Sequence, residues 1–154
     1  MDMTPILPPM DRGSLLIVRM LRRWRAAHEC QSNPLTSLVA LAGELGQSPH
    51  AAVALHSLFQ LTESCLGRRL ICAPVCGHRL SPDERAVILM VSLAPDVKPA
   101  SGSAAIPHGL PGALHWAAVS VRLALDLPRC DLRYERLGRC PFAREPAAMV
   151  CDPI

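Results

Sequence analysis

A chain of 154 residues, half of them hydrophobic and 19% charged, carries enough apolar material for one buried core; this excludes global disorder and fits one domain better than two. Aromatic residues make up only 3%, so the core must come from Leu, Val, Ile, Ala and Met, which favours helices packed through aliphatic stripes over a β-sandwich. The net charge of +3 is too small to imply nucleic acid by itself.

The cations are almost all arginine, with Lys98 the one lysine. A GC-rich coding sequence raises Arg, Ala, Pro and Leu together and accounts for this without selection for phosphate contacts. No apolar run approaches the ~20 residues of a membrane span. The opening MDMTPILPPMDRGS is proline-rich and carries Asp2 and Asp11, a poor start for a signal peptide. The expected location is cytoplasmic, where the seven cysteines would mostly be thiols.

In chain order, residues 1 to 13 read as a flexible tail. Ser14 is placed to cap the first helix, LLIVRMLRRWRAAHEC. Leu16, Ile17, Met20, Leu21 and Trp24 share one face at helical spacing, with Arg12, Arg19, Arg22, Arg23 and Arg25 on the other. Asn33-Pro34 breaks the pattern, and TSLVALAGELG reads as a short second helix closed by Gly46. Ser48-Pro49 supplies a cap and a first-turn proline for the third, HAAVALHSLFQLTESCL, ending at Gly67. Ser81-Pro82-Asp83-Glu84 is a capping box opening the fourth helix, ERAVILMVSL. That helix is apolar nearly all round, so it is expected to be the central, most buried one.

Residues 95 to 109 form a Pro-, Gly- and Ser-rich loop. A fifth helix over roughly 110 to 127 carries Leu110, Leu114, Ala117, Val121 and Leu125 on one face. The sequence thus predicts an all-α protein, a compact bundle of four to five helices over 14 to 127, with an irregular cysteine-containing tail from 128 to 154.

The pointed question lies in ICAPVCGHRLSPDE, residues 71 to 84. Cys72, Cys76 and His78 are natural ligands for zinc, and Cys65 is the nearest candidate for a fourth position. Against this, Cys-x3-Cys-x-His lacks the paired Cys-x2-Cys spacing of zinc ribbons. The bland alternative is a tight connection in which the cysteines are small buried hydrophobes. No zinc or other cofactor is certain from the sequence.

Residues 36 to 60 have the grammar of a helix-turn-helix, with Ala42, Gly46, Ala52 and Leu55 in the expected places. The would-be recognition helix offers His50, His56, Ser57 and Gln60 but no Arg or Lys, so phosphates would have to be met by helix one. The basic face of that helix, Arg19, Arg22, Arg23 and Arg25, is a candidate surface for an acidic partner or nucleic acid. A cysteine nucleophile at Cys76 would need His78 as base, and no oxyanion-hole, phosphate-loop or HExxH motif accompanies it.

Arg69-Leu70-Ile71-Cys72-Ala73-Pro74, Cys76, and Leu80-Ser81-Pro82-Asp83-Glu84 carry a further signal. Through them the chain from about Leu15 to Leu93 resembles small uncharacterised bacterial helical proteins, a domain of unknown function. The resemblance implies a cysteine-containing Ala-Pro connector leading into a capped helix; it brings no activity with it.

The function expected from these readings is a small non-catalytic regulatory or protein-interaction domain, metal- or thiol-responsive through the 72–78 loop. It would bind a protein partner or a second copy of itself. A DNA-binding helix-turn-helix is the alternative, and a cysteine-dependent enzyme comes third.

Overall fold

The computed structural model describes residues 10–94 and 109–128, with the side chains of 109–111 left aside. The N-terminal tail up to residue 9, residues 95–108 of the expected 95–109 loop and the tail beyond 128 lie outside the described residues; Gly109, the last residue of that expected loop, is already helical. Within them the protein is all-α, with five helices and no strand: α1 Arg12–Glu29, α2 Pro34–Glu44, α3 Pro49–Leu66, α4 Pro82–Ser92 and α5 Gly109–Ala124.

Each of the first four helices starts where a short polar side chain can satisfy an exposed backbone N–H. Asn33, Ser48 and Ser81 accept from Thr36, Ala51 and Glu84, and proline fills the first turn of α2, α3 and α4. At α1 the cap is Asp11, which accepts from the Ser14 N–H, so the cap lies three residues before the predicted Ser14 and the helix begins at Arg12. A carboxylate there also interacts favourably with the positive end of the helix dipole. α2 likewise starts earlier than predicted, at Pro34, because Asn33 rather than a later residue supplies the oxygen.

The glycines that end α2 and α3 adopt left-handed backbone. Gly46 has φ +67° and Gly67 φ +63°; a side chain at either would be strained.

The core is aliphatic with two large aromatic members. Ile17, Met20, Leu21 and Trp24 of α1 meet Leu38 of α2, Leu55, Leu58 and Phe59 of α3, Val87 and Val91 of α4, and Val121 of α5. The predicted α1 face is thus the buried face, apart from Leu16, which is half-buried.

α1 and α3 each pack against three other helices, α1 on α2, α3 and α4, and α3 on α1, α2 and α5; α4 touches only α1 and α5. The expectation that α4 is the central helix therefore needs correction as to its neighbours, although along it only Pro82 and Arg85 are exposed. Val87 and Val91 are fully buried, but Ile88, Leu89 and Met90 are only half-buried. An all-round apolar run shows that a helix avoids water, not which neighbours shield it.

Candidate functional site

The connector from Gly67 to Ser81 is held by two carboxylates at the start of α4. Glu84 has no exposed surface. Its side chain closes the capping box on the Ser81 N–H at 2.7 Å, and its other oxygen accepts from the Ala73 N–H at 3.2 Å. The same carboxylate takes a forked hydrogen bond from Arg22, Nε at 2.7 Å and Nη2 at 3.2 Å. Arg22 then reaches onward: Nη1 donates to the Gly77 carbonyl at 2.6 Å and Nη2 to the Arg79 carbonyl at 3.0 Å.

One guanidinium thus joins α1, the connector and the cap of α4. A charge taken out of water needs partners on every face, and both ions here have them. The hydrogen bond to Glu84 raises the Arg22 pKa above its already high ordinary value.

A second clamp works beside it. Asp83 accepts from Arg68 through both oxygens, at 2.6 and 3.0 Å, and from the Ile71 N–H at 2.8 Å. Ser81 donates its hydroxyl to the Ile71 carbonyl, and Glu63 of α3 accepts from the Leu70 N–H. The connector lacks regular structure of its own, so side chains satisfy its backbone polar groups.

The thiols sit differently in this frame. Cys72 is half-buried against the core. Its burial, reinforced by the negative charge of Glu84, pushes the thiol up to about 12; a thiol that rarely ionises is a poor nucleophile. Cys76 and His78 are exposed, and Cys65 is exposed near the end of α3. Among the described residues no three or more His, Cys, Asp and Glu side chains form a group that could hold a metal ion. The proximity of Cys72, Cys76 and His78 in sequence therefore does not become a ligand set in space, and Cys65 does not complete one.

The four arginines of the expected basic face divide. Arg22 is buried in the ion pair, and Arg25 is half-buried and pairs with Glu29 at 3.3 Å. Arg19 and Arg23 are exposed, and neither is engaged by an ion pair or hydrogen bond among the described residues. The sequence pattern grouped Arg22 with its neighbours, yet Val18 one turn earlier is 2% exposed, so Arg22 lies at the edge of the buried stripe.

Between α1 and the connector runs a groove of about 600 Å³. Leu15 and Val18 of α1 and Val75 and Leu80 of the connector form its apolar part, with Leu41 of α2 contributing. Arg19, Arg23 and His78 flank it, and among the described residues no carboxylate lines it. Val75 is 71% exposed, the most of any large apolar side chain described, and Leu15 is 46% exposed. Exposing such residues together in one concave place is costly unless something covers them.

A histidine cluster on the α1–α3 seam escaped the sequence reading. The buried Trp24 donates from Nε1 to Nδ1 of His56 at 3.0 Å and meets His28 edge-on at 4.4 Å between ring centroids. His28, one turn after Trp24, was legible as a neighbour; His56 on α3 was not.

A short turn through Gly46 joins α2 to α3, where the sequence suggested a helix-turn-helix. The exposed residues of α3 are Pro49, His50, Val53, Gln60, Ser64 and Cys65. None is a cation, so this helix supplies no phosphate neutralisation.

Comparisons with protein-family models, with curated proteins and with solved structures returned no match. No helix of the described residues is long and apolar enough to cross a membrane.

Proposed function

We propose that the chain is a non-catalytic protein-interaction domain whose binding surface is the groove between α1 and the 75–80 segment of the connector. The observation that carries this reading is the exposure of Val75 and Leu15 beside two unengaged arginines, on a wall fixed from behind by the Arg22–Glu84 pair. Catalysis finds little support in the same place: the more buried thiol is held protonated, and the polar side chains behind the connector are consumed in binding its backbone. A flexible loop could not present a defined apolar wall; a loop clamped at Gly77, Arg79 and Ser81 can.

The test uses the tagged full chain recovered from the cells that express it. Leu15→Asp with Val75→Asp is expected to abolish co-purification of a protein partner while leaving the melting temperature unchanged, because both side chains face water. Val53→Asp, on the exposed side of α3, is expected to retain the partner. An identical protein profile for all three, or no co-purifying protein with the wild type, contradicts the reading.

A further inference from the structure

The chemistry of the groove defines its occupant more narrowly. Resting on the interaction reading above, we infer that the groove takes an acidic amphipathic helix of a partner protein. Arg19 and Arg23 stand one helical turn apart on α1, both exposed and both without an ionic partner among the described residues. Among the described residues no Asp or Glu lines the groove to neutralise them. A ligand that covers the apolar strip while leaving two arginines desolvated and unpaired would lose much of what it gained. Carboxylates spaced by one turn on a partner helix meet that pair, because side chains at i and i+4 lie on one helix face.

The occupant is a helix for a second reason. An extended peptide that binds by strand addition needs a sheet edge, and the described residues contain no strand. From Leu15 to Ala26 the α1 wall is eleven steps long, about 16 Å or about three turns at the helical rise. That is long enough for a short partner helix to lie along it with its apolar residues on Leu15 and Val18 and its acidic ones on Arg19 and Arg23. Arg22 does not compete for the ligand, since Glu84 and two carbonyls hold it.

The test is fluorescence anisotropy with labelled synthetic helices of one apolar pattern and three flanking chemistries: glutamate, glutamine and lysine. A short DNA duplex serves as a fourth probe. The full chain is expected to bind the glutamate helix at least about tenfold tighter than the lysine helix, a difference of about 1.4 kcal/mol. Arg19→Glu with Arg23→Glu is expected to reverse that order. The milder Arg19→Gln with Arg23→Gln should bring the ratio towards unity with an unchanged melting curve.

Val75→Asp should weaken the glutamate and glutamine helices, and Val53→Asp none. Equal affinity for the acidic and basic helices, a ratio indifferent to both arginine pairs, or tighter binding of the DNA overturns the inference. If Val75→Asp still weakens the glutamine helix in that case, the groove remains an interaction surface. If Val75→Asp alters no arm, the interaction reading falls as well.

Discussion

Arg22 and Glu84 stand 62 positions apart in the chain, yet the guanidinium Nε lies 2.7 Å from the carboxylate, with the two side chains 8% and 0% exposed. The pair serves three purposes at once. It completes the cap of α4, closes α4 against α1, and fixes the connector that forms one wall of the groove.

Removing one partner leaves the other charge buried and unpaired, which typically costs about 3–5 kcal/mol. Arg22→Ala and Glu84→Ala are each expected to destabilise by that amount in urea titrations. The double variant should cost clearly less than the sum, since the second change removes the orphan left by the first. Arg22→Lys cannot reproduce the fork or the reach to both carbonyls; limited proteolysis should cut its connector near residues 74–79 while the wild type resists.

The seam between α1 and α3 should be sensitive to acid. His56 must be neutral to accept from Trp24 through Nδ1, and burial followed by the nearby His28 holds its pKa below the ordinary histidine value. The unfolded chain therefore binds this proton more readily than the folded one. The contribution is complete above about pH 6.5, the value in the unfolded state, and is lost as pH falls from there through the depressed folded pKa. Urea midpoints of the wild type should decline over that window. Those of His56→Gln should decline less.

Thiol reactivity should separate the connector cysteines. Cys76 is exposed, whereas Cys72 is held to about 12. Mass spectrometry after brief alkylation at pH 8 should find Cys76 modified and Cys72 intact, with Cys72 reacting only on unfolding. Rapid modification of Cys72 in the folded chain would mean that the connector opens freely.

Helix packing gives a graded expectation. Phe59 has no exposed surface and lies 5.4 Å from Trp24 between ring centroids, so Phe59→Ala should cost about 3–5 kcal/mol through the cavity it leaves. Ile88→Ala should cost less than Val91→Ala relative to the volume removed, because Ile88 is only half-buried. Leu123→Ala, at a position 64% exposed, should leave the melting temperature nearly unchanged.

Much of the fold was legible because its signals are local. The caps at Ser48 and Ser81, the first-turn prolines and the terminal Gly67 mark their helices in sequence, and the α1 stripe separates inside from outside. What stayed hidden depends on distant neighbours. Glu84 was readable as a capping residue, but nothing local says that the same carboxylate receives Arg22. Cys72, Cys76 and His78 were grouped by proximity along the chain, whereas their burial depends on how Arg22, Asp83 and Glu84 draw the connector down. The groove was legible only through Arg19 and Arg23, since Val75 looks like any loop valine until Leu15 is placed opposite.

The most direct measurement is a photo-crosslinking map in the cells that express the protein, with a photoreactive residue placed in turn at Leu15, Val75, Val39, Val53 and Leu123, all exposed. The account predicts one common protein adduct from positions 15 and 75 and none from the other three. An adduct confined to 39, 53 or 123, or the same pattern from all five, would contradict it.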